Sequence, residues 1–173
     1  MTLQFRVLGP LEIVDGDSSV TIRGAKQRVL LAMLLLNPGE VVPTERLIDA
    51  LWGDGPPPTA TKALQMHVSQ LRKVLGPSVL MTHPRGYQLS VDAESVDALR
   101  FERLLAAGGY AAALELWRGP AFVDIELSDA LRGPVGRLEE ERLQAVEEGF
   151  NAGLLAGRQT SDRNARMIRL DHA

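Results

Sequence analysis

Thr59–Pro77, TATKALQMHVSQLRKVLGP, followed by Ser78–Val91, SVLMTHPRGYQLSV, decides the fold of this chain. Leu64, Val68, Leu71 and Leu75 recur at i, i+4, i+7 and i+11, which predicts an amphipathic helix. Lys62, Met66, Ser69 and Lys73 project directly away from that stripe. Gln65 and Arg72 flank one side and Gln70 the other. Thr59 is placed to cap the helix and Gly76-Pro77 to end it. Val79–Thr82 and Tyr87–Val91 then predict two strands around a turn at His83-Pro84-Arg85-Gly86. A helix fits the major groove of duplex DNA, and a hairpin beside it reaches the adjacent backbone or minor groove.

Working back toward the N-terminus, Phe5–Leu8, Leu11–Val14 and Val20–Arg23 alternate with period two and are separated by turn-rich tracts, so a small antiparallel sheet is expected. Lys26–Asn37 predicts a helix apolar on most sides, stopped by Asn37-Pro38-Gly39. Thr44 is a candidate cap for a second helix that carries Leu47, Ile48, Leu51 and Trp52 on one side. Gly53, Asp54, Gly55, Pro56, Pro57 and Pro58 cannot be helical and form a stiff, exposed loop. Sheet, three helices and hairpin in that order predict an α+β module of the helix-turn-helix kind over residues 1–92.

Composition changes after Asp92. Val96–Ala107, a segment with Tyr110, Leu114 and Trp117, and a segment from about Pro134 to Ala156 read as helices. In the last, Leu143, Val146, Phe150 and Leu154 share one face. A small all-α, TPR-like region is expected over 93–157. The polar stretch 158–173, with Arg163, Arg166 and Arg169 spaced by three, reads as a frayed tail; a basic helical turn resting on an acidic surface is the alternative.

The 173 residues carry a formal charge of -3. Residues 1–92 hold nine Lys/Arg against eight Asp/Glu, and residues 93–173 hold ten against fourteen. Gly55–Val91 contains Lys62, Arg72, Lys73 and Arg85 and no acid. Screening confines such a field to about 8–10 Å, so this local excess outweighs the global sign. Absence of Cys excludes disulfides and thiolate metal sites and fits a reducing cytoplasm. His67, His83 and His172 are too scattered for a metal site. No signal peptide is visible, and the longest apolar run, Val29–Leu36, is too short to span a bilayer. No phosphate loop or nucleophile–base pair is present, and Glu139, Glu140 and Glu141 point in different directions. No enzyme, cofactor or membrane role is expected.

Each reading has a plainer rival. The basic helix face could be an ordinary solvated surface. His67 is expected as a packed, hydrogen-bonded histidine rather than a base contact. Met66 suits either a thymine methyl or plain exposure. Arg85 suits the minor groove better than a solvated turn. Trp52 and Trp117 are core aromatics.

The segments FRVLGPLE from Phe5, KQRVLLAMLLL from Lys26, LIDALWG from Leu47, LQMHVSQLRKVLG from Leu64 and RGYQL from Arg85 together resemble the Streptomyces antibiotic regulatory protein family. LWRGPA from Leu116 and RLEEERL from Arg137 look like its helical bacterial transcriptional activation domain. The resemblance implies an OmpR-type winged helix, as in two-component output domains, and an activator of antibiotic biosynthesis gene clusters. It implies binding to direct repeats of double-stranded DNA with self-association on them, and recruitment of RNA polymerase through the loop Gly53–Pro58. Lys62, Gln65, Ser69 and Lys73 would lie nearest the DNA, with Gln70 and Arg72 at the backbone and Thr82, His83 and Arg85 on phosphate or minor groove. Two features depart from the family. Gln70 stands where Arg is usual, and the helical region looks shortened between Phe101 and Trp117 and after Gly157. The rival functions are a protein-interaction module, which acidic residues 93–173 would suit, and a truncated, non-activating competitor for operators.

Overall fold

A computed structural model describes the backbone of residues 2–170 and the side chains of residues 2–153. Strands β1 (Leu3–Arg6), β2 (Glu12–Asp15) and β3 (Ser18–Val20) form an antiparallel sheet in that order. Leu3 and Phe5 turn inward while Arg6 faces solvent, the period-two alternation of a half-buried strand. Asp15 pairs with Ser18, leaving a two-residue turn in which Gly16 takes φ +61. The third strand therefore ends at Val20, where the alternation Val20–Arg23 had suggested it would begin. The tight turn sets the register, and Thr21–Gly24 run on as a link.

Helix α1 (Ala25–Leu35) is the centre of the molecule. Leu30, Leu31, Ala32, Met33 and Leu34 have no exposed surface, as expected of a helix apolar on most sides. Strand β4 (Val41–Pro43) leads into α2 (Thr44–Trp52). Thr44 is the first helical residue rather than the cap, because proline at position 43 holds the extended conformation before it. Helix α3 (Ala60–Leu75) packs Leu64, Val68, Leu71 and Leu75 into the core, each at most 1% exposed. Thr59 occupies the cap position without a side-chain hydrogen bond, and Gly76 at φ +99 ends the helix. Strands β5 (Leu80–His83) and β6 (Gly86–Leu89) close the hairpin, and β4 adds to β6 to give the order β4-β6-β5.

A single 3-10 turn (Ala93–Ser95) precedes α4 (Asp97–Ala106), α5 (Tyr110–Glu115) and α6 (Asp129–Leu170). The last helix starts more than a turn before Pro134, on an acid that suits a helix N-terminus. It continues past Gly157 across the stretch that polar composition marks as a tail. Its packed face carries Leu131, Val135, Leu138 and Ala145. The stripe read from the sequence faces out instead: Leu143 is 62%, Val146 49% and Phe150 68% exposed. The Leu154 side chain lies outside the described residues, as does the backbone of 171–173. Trp117 is buried edge-on against Phe101 at 5.4 Å, with the Arg142 guanidinium 4.7 Å from its ring centre.

The two halves share one core. Buried Asp97 accepts the backbone N–H groups of Val7 (2.8 Å) and Leu8 (3.1 Å). Burial raises its pKa against the opposing effect of those bonds. Arg118 donates its backbone N–H to Leu8 O at 2.7 Å, Phe122 to Val7 O at 3.0 Å, and Leu11 to Asp124 Oδ1 at 2.9 Å. The Arg28 guanidinium pairs with Asp124. These bonds clamp the N-terminal sheet and α1 to the helical region. Among the described residues no helix is long and apolar enough to cross a membrane.

Candidate nucleic-acid interface

The core stripe of α3 fixes which side of the helix faces out. Lys62, Gln65, Met66, Ser69 and Lys73 are all exposed there, Met66 at 51%. Arg72 and Lys73 fill the last turn, where cations also favour the helix dipole. That contribution needs no ligand, but it is open only to this end of the helix and leaves Lys62 in the first turn unexplained.

Arg72 fixes the angle between helix and hairpin. Its Nε donates to Leu80 O at 2.8 Å, and its guanidinium also donates to the Thr82 hydroxyl. His83 Nε2 meets Gln88 Oε1 at 2.7 Å, and Gln88 Nε2 donates to Gly39 O at 2.5 Å. Gln70 shares a hydrogen bond with Gln27 of α1. The polar ends of Gln70, Arg72, Thr82 and His83 are thus engaged with protein groups. Lys62, Gln65, Ser69, Lys73 and Arg85 keep theirs toward solvent.

The hairpin tip is rigidly placed. Thr44 donates its backbone N–H to Arg85 O at 3.0 Å, tying the tip to the start of α2. A Cβ on Gly86 would stand 1.9 Å from Val42 O, so β4 and β6 approach closely only because residue 86 is glycine. The exposed Arg85 side chain therefore projects from a turn fixed by the backbone on either side.

Nine Lys and Arg lie in residues 1–92. Arg6 and Arg28 pair with carboxylates, Lys26 Nζ donates to Leu51 O at 2.7 Å, and Arg72 braces the hairpin. Among the described residues Arg23, Arg46, Lys62, Lys73 and Arg85 have no such partner. Arg23 and Arg46 were not singled out by the sequence, since both lie outside the acid-free tract. Only the ion pairs of the folded state separate them from Arg6 and Arg28.

His67 lies at the edge of the core, its ring 6.3 Å from that of Trp52. Its Nδ1 is buried without a hydrogen-bond partner among the described residues, so it is packed but not satisfied as expected. Burial, and then the charge of Lys26, lower its pKa below the ordinary 6.5. The imidazole is accordingly neutral near pH 7 and adds nothing to the positive field.

Between α2 and α3 the loop is exposed at Gly53, Asp54, Gly55, Pro56 and Pro58 and half-buried at Pro57. Gly53 donates to Asp49 O at 2.8 Å with φ +59, and Ala60 donates to Pro57 O at 3.0 Å. Three prolines between these anchors hold the loop in one shape. No cluster of three potential metal ligands occurs among the described residues.

Two family descriptions match in tandem: "Transcriptional regulatory protein, C terminal" over residues 20–89 and "Bacterial transcriptional activator domain" over residues 92–169. The chain is 36% identical to the regulatory protein DnrI of Streptomyces peucetius, over 90% of this chain and 66% of that protein. It is 34% identical to the transcriptional regulator RedD of Streptomyces coelicolor, over 90% of this chain and 50% of that one. A solved structure of Mycobacterium tuberculosis EmbR, in complex with a low-affinity phosphopeptide, superposes with a TM-score of 0.77 at 32% identity. That match covers 92% of this chain and 47% of EmbR. The chain thus spans between about half and two thirds of these relatives.

Proposed function

This chain belongs to the Streptomyces antibiotic regulatory protein family of transcriptional regulators, and from that premise we propose that it binds duplex DNA in a sequence-specific way and activates transcription. One observation carries the proposal. The outward face of α3 and the tip of the hairpin bring Lys62, Lys73 and Arg85, all exposed and without an acidic partner, onto two elements braced by Arg72.

In this reading α3 enters the major groove. Gln65 and Ser69, between the two lysines, present amide and hydroxyl groups to base edges. Lys62, Lys73 and Arg85 neutralise phosphates, which positions the protein without selecting sequence. In the same reading Arg72 and Thr82 act from behind by holding α3 and the hairpin at a fixed angle, Gln70 by tying α3 to α1 and His83 by bracing the hairpin, rather than as direct contacts. Residues 1–92 form the DNA-reading unit and 93–157 a shortened activation domain clamped to it. Family membership supports tandem binding to direct repeats, with self-association on the DNA. The proline-stiffened loop Gly53–Pro58 is pre-shaped to dock RNA polymerase, which lowers the entropy cost of association. Such a protein works in the cytoplasm, on the nucleoid.

Selection of binding sites from a random duplex pool tests the proposal. Enrichment of a repeated motif, bound more tightly than scrambled duplex, is expected. Failure to retard any duplex at low salt would favour the protein-interaction reading, for which the exposed Leu143, Val146 and Phe150 speak. Run-off transcription on the selected site then separates an activator from a non-activating competitor. Pro56→Ala combined with Pro58→Ala should lower transcript yield while leaving DNA affinity unchanged.

A further inference from the structure

A cleft of about 380 Å³ opens beside the C-terminal end of α3, where the link between β3 and α1 passes it. Arg23 from the link and Lys73 from the helix both line it, with Gln27, Gln70 and the apolar Ile22 and Val74. No acidic side chain does. The amides of Gln27 and Gln70 meet within the cleft. Gly24 makes room for this: a Cβ there would fall 1.7 Å from Gln27 Oε1. Neither Arg23 nor Lys73 has a carboxylate partner among the described residues, and both are exposed. Two unpaired cations from separate elements therefore stand at one opening, with uncharged amides between them.

The dimensions of a duplex say what belongs there. Lys62 and Lys73 are eleven residues apart on α3, about 16 Å along the helix axis. The major groove is about 12 Å wide. A helix seated over base edges near Gln65 and Ser69 must therefore bring its Lys73 end to the bordering phosphates. Arg23 lines the same cleft as Lys73 at that end.

We infer that Arg23 and Lys73 together form a seat for the phosphodiester backbone of the DNA strand bordering the groove, outside the recognition helix itself. The inference rests on the DNA-binding reading above. It extends the footprint by at least one phosphate, held by a residue on the link between the N-terminal sheet and α1. Anchored there, the sheet and everything clamped to it take a fixed orientation on the duplex.

Fluorescence anisotropy with a selected duplex, titrated from about 50 to 200 mM salt, tests this with wild type, Arg23→Ala and Arg23→Lys. Each phosphate contact contributes about 0.9 to the slope of log K against log salt. Arg23→Ala should lower the slope by about that amount and weaken matched and scrambled duplexes by the same factor. Arg23→Lys should keep the wild-type slope. In ethylation interference, one phosphate important to wild type should become indifferent for Arg23→Ala. Wild-type binding with an unchanged slope in Arg23→Ala would overturn the inference, as would a loss confined to the matched sequence. A wild type that binds no duplex overturns the parent reading instead, before any variant is compared.

Discussion

Gly86, Lys73 and His67 show how single residues divide the labour between fold and surface. Gly86 is fixed by backbone: β4 leaves no room for a Cβ. Gly86→Ala should destabilise the protein by about 1–3 kcal/mol in urea unfolding, the range for forced overpacking, and loosen the hairpin that carries Arg85. The side chains of Lys73 and Arg85 have no acidic partner among the described residues. Their replacement by Ala should leave the thermal midpoint within a degree or two, yet lower the salt slope of DNA binding by about one unit each. His67 ties stability to pH. Its folded pKa lies below 6.5, so the folded state binds the proton less readily than the unfolded chain does. The stability it confers is present above pH 6.5 and is lost as the pH falls through the lowered value. Denaturation midpoints of wild type should fall over that window, and those of His67→Gln should fall less. Equal slopes for both proteins would remove His67 as the cause.

At the scale of elements, α3 and α6 look alike in sequence and behave differently. Both carry apolar residues at helical spacing. The stripe of α3 meets α1 and α2, and Leu71→Ala should cost about 2–5 kcal/mol as a cavity opens. The stripe Leu143, Val146, Phe150 meets solvent, and Phe150→Ser should change stability by less than about 0.5 kcal/mol. Equilibrium urea unfolding of the two variants checks the contrast. The same contrast marks the limit of reading the sequence. Periodicity identified both helices, but it reports only that an apolar face exists. Which of two faces of α6 is packed depends on where α2 and α5 lie, and that is a tertiary fact. The end of β3 was hidden for a related reason, since a two-residue turn at Gly16 moved the register ahead of the alternation. The basic outer face of α3 was legible because the core stripe alone dictates it. The roles of Arg72 and His83 were not, because their partners Leu80, Thr82 and Gln88 come into reach only once the hairpin folds.

At the scale of the whole molecule, the bonds from Val7, Leu8 and Leu11 to residues 97–124 join the winged helix to the helical region through one core. The two should unfold together. Trp52 sits in the first half and Trp117 in the second, so single-tryptophan variants should give coincident urea transitions. Asp97→Asn leaves one of two buried N–H groups without an acceptor and should lower the common midpoint by the equivalent of about 1–3 kcal/mol. Two separated transitions would show the halves to be independent. A rigid unit also fixes which surface can meet DNA, and in the proposed reading that surface is centred on Met66. The most direct measurement is photocrosslinking to a selected duplex with benzoylphenylalanine placed at Met66 or, as an equally exposed control away from α3, at Val123. The account predicts efficient crosslinks from position 66 to bases of the bound motif and none from position 123. Crosslinks from 123 alone, or from neither position under conditions where the duplex is bound, would contradict it.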